Sequence, residues 1–382
     1  MRIQESLSKS ETSAPMLHRG SMNGGRTMLT AALLMAAAAQ PGLAQWMSQD
    51  DAFLPSSVIT ASTVPANGDV NPYGVAFVPR NFSTGTGPLH AGDILVANFN
   101  NNQNLQGTGT TIVDISKSGA QSLFFKGTAP LGLSTALGTL SLYGYVVVGN
   151  APTADGTSAT AQPGALLVID NQGKLVQTIT SKWIQFPWDM ALVDKGDWAI
   201  AFVANALNGT VSRLDFKVTS SGLKLESATT IASGYVHRGD PATLFVSPTG
   251  LVYDARRGRL FVASSGDNAV FAVQDAANRD KDAGMGSIIY EDNAHLHGAL
   301  AMAEAPNGHL LVTNSDGINP DPNQPSEIVE FTKDGDFVKE IPVDPAQGGS
   351  FGLAVHSTHD KAILAAVDDN ASTLLIWALN RP

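Results

Sequence analysis

Apolar residues along this chain fall into short runs separated by turn residues, and the runs recur at a regular interval. Residues 296–316 give the clearest copy. A small residue opens an apolar run over 299–303, then Pro306, Asn307 and Gly308 supply a reversal, and a second run over 310–312 ends at Asn314. Asn-Gly between two β-prone runs marks a tight hairpin, because both residues tolerate the left-handed backbone that the turn needs. The stretch therefore predicts strand, turn, strand.

The same opening recurs with anchors at 74, 132, 189, 250, 298 and 352, separated by 58, 57, 61, 48 and 54 residues. A returning run follows each anchor: 93–98, 145–150, 201–205, 259–264, 309–314 and 362–368. Third runs lie at 111–115, 165–170, 210–215, 269–273, 327–331 and 373–379, and fourth runs stand out where a glycine turn precedes them, at 173–178 and 335–340. A repeat of this length holds four strands, and six copies predict an all-β, six-bladed β-propeller. The sixth copy reaches Pro382 after only three strands. Residues 57–62 are β-prone and precede the first copy, so an N-terminal strand is expected to complete the last blade and remove its open edge. The 61-residue interval after Asp189 is long enough for an inserted hairpin, expected over 223–232.

Composition narrows the possible functions. Asp and Glu number 34 against 23 Lys and Arg, a net charge of -11, and no basic run exceeds Arg256-Arg257. Such a surface repels phosphate backbones, so nucleic acid is not an expected partner. There is no cysteine, which excludes disulfides, thiolate nucleophiles and thiolate metal sites. At the amino terminus, an apolar run over 28–39 follows Arg26, and the small residues Gly42 and Ala44 come next. That run is too short to span a bilayer but has the form of a signal-peptide core. Residues 1–44 are therefore expected to be removed after Ala44, leaving 45–382 as one propeller domain. The expected product is a monomer in the periplasm or outside the cell, with no membrane insertion after cleavage.

Two stretches carry a family resemblance. Residues 71–79 read Asn-Pro-Tyr-Gly-Val-Ala-Phe-Val-Pro, and residues 92–100 read Gly-Asp-Ile-Leu-Val-Ala-Asn-Phe-Asn. With the later Asp-x-x-Gly turns, this pattern resembles NHL-repeat, YVTN and SMP-30-like six-bladed propellers, secreted bacterial members above all. The resemblance covers 71–379 and implies a fold rather than an activity.

In such a ring the first strand of each copy lines the channel and the second returns beside it, so the start of one meets the end of the other on one face. The residues just before the anchors are Tyr73, Leu131, Trp188, Thr249, His297 and Phe351, a mostly aromatic set at the channel mouth. Asn98, Asn150, Asn205, Ser264, Asn314 and Asp368 end the second strands and form a carboxamide-rich set beside it. The expected ligand-binding residues are thus Tyr73, Trp188, His297, Phe351, Asn98, Asn150, Asn205, Asn314 and Asp368, binding a small molecule or a protein partner. Each has a structural competitor: asparagine at a strand end often serves its own following turn, and aromatics often fill space between blades.

A metal-dependent hydrolase or lyase is the alternative, with His297, Asn205 and Asn314 near the cation. His295 and His297 share a strand face at i, i+2, but zinc needs further ligands. The resemblance to SMP-30-like lactonases implies acidic and carboxamide ligands near the strand starts, and Asp189 is the one acidic residue there. Residues 314–323 are rich in hard oxygen donors, which makes calcium a candidate cofactor, although the spacing is not that of the twelve-residue calcium loop. Residues 132–136 look like a nucleophile elbow but fall where an inner strand belongs.

Overall fold

The structure, a computed structural model, describes residues 59–358 and 361–380, all within one compact unit, Gln45–Pro382. The expected signal peptide lies outside the described residues. Six antiparallel sheets of four strands account for nearly all of the secondary structure. Among the described residues the one helical turn is the 3-10 segment Ser158–Thr160.

Blades 1 to 5 run outward from the centre in chain order, and blade 6 does so for its first three strands. Blade 1 is Val70–Phe77, Ile94–Asn100, Thr111–Ile115 and Gln121–Lys126, and blade 2 is Leu133–Leu140, Tyr145–Asn150, Ala165–Ile169 and Leu175–Ile179. Blade 3 is Pro187–Asp194, Trp198–Asn205, Thr210–Thr219 and Gly222–Ser233, and blade 4 is Pro248–Asp254, Arg259–Ser264, Ala269–Val273 and Ser287–Tyr290. Blade 5 is Ala299–Glu304, Leu310–Asn314, Glu327–Phe331 and Phe337–Pro342. Blade 6 is Ser350–Ser357, Lys361–Asp368 and Thr373–Asn380, completed by Ile59–Ser62.

That last strand closes the ring as the sequence predicts. Ile59 pairs with Ile376, Thr60 with Leu375, Ala61 with Leu374 and Ser62 with Thr373. Thr63 extends the seam, its N–H and hydroxyl both donating to the Ser372 carbonyl at 3.0 and 2.8 Å. The expected inserted hairpin is displaced. Residues 223–232 belong to the fourth strand of blade 3, where Leu223 and Leu225 alternate with Lys224 and Glu226 as an outer strand with one wet face requires. The insertion is a short hairpin further on, Arg238–Asp240 against Leu244–Val246.

The inner strands touch their neighbours around the whole circle. Middle strands are apolar on both faces because a blade lies on either side: every residue of Ile94–Asn100 and Ala269–Val273 is buried. Blade faces pack into separate cores, such as Leu95, Ala97, Val146 and Val148 between blades 1 and 2. Between blades 6 and 1 the core joins a group of aromatic residues that reaches the ring centre. Each fully buried Phe or Leu in these layers contributes roughly 1.5–3 kcal/mol.

Candidate functional site

The strand register places the two expected rings side by side. Pro72 stands opposite Asn98, Leu133 opposite Asn150, Pro187 opposite Asn205, Pro248 opposite Ser264, Ala299 opposite Asn314 and Ser350 opposite Asp368. The ladder then slips at the same level in all six blades.

The carboxamides act there as clamps. Each donates to a carbonyl in the chain that leads into its own blade: Asn98 to Thr63 at 3.1 Å, Asn150 to Leu131, Asn205 to Trp183 at 3.3 Å and Asn314 to His295 at 2.8 Å. Most also reach the third strand, at Thr111 from Asn98, Thr210 from Asn205 and Glu327 from Asn314. The Oδ1 atoms of Asn205 and Asn314 accept from the Gln185 and His297 N–H groups, and Asp368 accepts from the Ala371 N–H. The asparagine bonds run to the chain upstream and to the third strand, whereas Asp368 serves the turn that follows it.

The aromatic residues assemble, but on one another. Tyr73 is sandwiched between Phe99 and Phe351, with ring centroids 4.6 and 4.7 Å away, and meets Trp188 edge-on at 5.8 Å. Trp188 leans on Phe186, which in turn contacts Phe245 of the inserted hairpin at 5.0 Å. All six side chains are buried. Instead of an open aromatic mouth, this face of the channel carries a plug, with the hairpin packed into it. Arg238 and Asp240 on that hairpin pair with each other at 3.5 Å.

His297 stands apart from the plug. It is buried in blade 5, its ring Nδ1 meets the Asn319 carbonyl, and its Nε2 is buried without a hydrogen-bond partner. Glu327 Oε1 and Asp316 Oδ1 are likewise unpartnered, and His297 acts electrostatically on both carboxyls. Burial pushes Glu327 up to about 7. His297 and Asn314 therefore belong to one buried polar group in blade 5, while Asn205 serves blade 3. The loop over 314–323 spends its oxygens on itself and its neighbours. Asp316 Oδ2 accepts from the Ser326 and Gly348 N–H groups at 3.0 and 2.8 Å, and Asp321 Oδ1 from Asn323 at 2.8 Å. Among the described residues no set of three or more His, Asp or Glu is placed to hold a metal.

Beneath the plug lies a cavity of about 530 Å³, lined by the inner strands of all six blades. Tyr73 and Asp189 stand at its plugged end, and Val355, Tyr253 and Asp194 at the other. The inner strands of blades 3 and 6 pass from fully buried to partly exposed along their length. The cavity therefore opens where the inner strands end, opposite to the expected mouth.

Asp189 brings a carboxylate to the plugged end of this wall. It is 8% exposed, and its Oδ2 accepts from the Leu251 N–H of the next blade at 2.8 Å. Burial pushes its carboxyl up to about 6, against the opposing pull of the Leu251 and Met190 amides. The sequence held a signal for it. At the anchor position the other five blades carry glycine, and at Gly352 the reason is steric: an added Cβ would sit 1.6 Å from the Tyr73 carbonyl. Blade 3 places a carboxylate at that point of close approach. Burial also raises the Tyr73 hydroxyl well above the usual tyrosine range, so it stays neutral.

A closed ring of six four-stranded blades around a blind cavity makes the chain a six-bladed β-propeller. Several solved structures align with most of its length. They include a calcium-binding protein, regucalcin, from Agrobacterium tumefaciens, at 12% identity and TM-score 0.49 over 83% of this chain and 92% of that one. A catalytically inactive virginiamycin B lyase from Staphylococcus aureus with quinupristin matches at 13% identity and TM-score 0.48, over 85% and 89%. A luciferin-regenerating enzyme matches at 10% and 0.48, over 85% and 95%. At these identities the likeness is one of architecture. No family model matches the chain, and no curated protein matches it.

Proposed function

We propose that the protein binds a small molecule in its central cavity, entered from the face where the inner strands end. One observation carries this: a blind hollow of about 530 Å³ whose lining includes Val75, Leu137, Leu192 and Leu353, within the range of about 300–1,000 Å³ typical of ligand pockets. Its concavity suits a small molecule better than the surface of a protein partner. The site resides in one chain, consistent with a monomer.

Narrowing the cavity tests the reading. Ala354→Phe and, from the opposite wall, Ala191→Phe are expected to keep the native melting profile while abolishing binding of small apolar ligands measured by calorimetry. Undiminished binding in both folded variants would place the ligand elsewhere. The signal-like run over 28–39 supports a periplasmic or secreted location. Sequencing the exported chain is expected to find Gln45 first; a retained amino terminus would remove this part of the proposal.

A further inference from the structure

We infer that the cavity selects a compact organic monocation, a primary or secondary ammonium carried on an apolar body, with its charge seated against Asp189 at the plugged end. This rests on the cavity reading above and specifies its ligand.

The cavity contains a carboxylate without a cationic partner. Asp189 is held in the wall at the junction of blades 3 and 4, and none of the cavity-lining residues is Lys, Arg or His. The Leu251 N–H, the Met190 amide and the Thr135 hydroxyl reach this carboxyl, whereas a carboxylate offers about four acceptor positions. An ionised group so enclosed is costly unless paired. A ligand ammonium supplies the pairing with charge-assisted hydrogen bonds. Val75, Leu137, Leu192, Leu353 and Val355 shape the rest of the space and match a hydrocarbon body.

Other occupants fit less well. A divalent metal needs several oxygen ligands at once, and among the described residues Asp189 is the only carboxylate that lines the closed end. An anion would meet like charge. The remaining titratable groups in the wall do not compete: burial raises the Tyr73 and Tyr253 hydroxyls above the usual range, so both are neutral. At the open end, Asp194 accepts from the Ser141 and Gly196 N–H groups at 2.8 and 2.9 Å. Tyr73 offers no free ring face, since Phe99 and Phe351 cover both, so recognition falls to the carboxylate.

Three probes of one shape test the inference on residues 45–382: cyclohexylmethylammonium, cyclohexylmethanol and cyclohexanecarboxylate, titrated at pH 7.5. The ammonium is expected to bind about tenfold or more tighter than the alcohol, with the carboxylate weakest. Asp189→Asn keeps an acceptor for Leu251 but no charge, and should bring the ammonium down to the level of the alcohol. In the wild type the ammonium affinity should fall by about tenfold per pH unit below pH 6 while that of the alcohol stays flat. This arm does not depend on a variant folding. Equal binding of ammonium and alcohol, unchanged by Asp189→Asn and still blocked by Ala354→Phe, would overturn the inference and leave the cavity reading standing. No binding of any probe would overturn both.

Discussion

Ionising Asp189 in the folded chain leaves a buried carboxylate with little water around it, and the displacement from the ordinary 3.8 to about 6 corresponds to about 3 kcal/mol. Because the folded value is raised, the stabilising contribution is fully present below about pH 4 and is lost as pH rises through 6. Asp189→Asn removes that dependence. Urea denaturation at pH 7 is expected to find the variant more stable by about 2–3 kcal/mol, with the difference closing at pH 4. Asp114, Glu327 and Asp369, pushed by burial to about 7, weaken both proteins alike over the same window and cancel in the comparison. A variant no more stable than wild type at pH 7 would mean that Asp189 is better compensated than its surroundings imply. A site residue that conflicts with stability is what a binding function leads one to expect. The sequence displayed Asp189 as a break in a row of glycines, but its meaning depended on which atoms approach that point. The asparagines were legible as a ring. Their partners were not, since Thr63 and Trp183 lie far upstream in the chain and reach Asn98 and Asn205 only through the fold.

Strands were the most readable elements, because alternation and apolar runs report directly on how many faces are covered. Third strands such as Thr111–Ile115 and Glu327–Phe331 fall where the pattern puts them. The outer strand of blade 3 escaped because its half-wet alternation matches that of a free hairpin equally well. Ile59–Ser62 is the element on which closure depends. A chain starting at residue 63 loses the outer strand of blade 6, with several ladder hydrogen bonds worth about 1 kcal/mol each and the burial of Ala61. It is expected to be less stable by roughly 2–4 kcal/mol and to self-associate through the bare edge of Thr373–Asn380. Light scattering and thermal melts against the 45–382 chain measure both effects. A monomeric chain of unchanged melting point would show that the seam is dispensable.

Across the molecule, six copies in sequence made the ring predictable, whereas the direction in which it opens was not. Which end of a channel is sealed depends on whether Tyr73, Phe99, Trp188 and Phe351 lean inward together, and no single copy of the repeat contains that information. The net charge of -11 adds a long-range field that draws cations toward the ring. The association rate of the ammonium probe should therefore fall severalfold between about 0.01 and 0.5 M salt, while that of the alcohol stays constant in stopped-flow measurements. An ammonium rate insensitive to salt would remove steering from the picture. The seam at Thr63 and Ser372, 309 residues apart in sequence, also orders events in time. Blades 1 to 5 each form from adjacent segments and can assemble as the chain emerges, but the strand made first must wait unpaired for the strand made last. Until Thr373–Asn380 arrives, Ile59–Ser62 has no partner and the ring stays open. A ring closed by strands so far apart in sequence therefore becomes rigid around its cavity only after Thr373–Asn380 has been made.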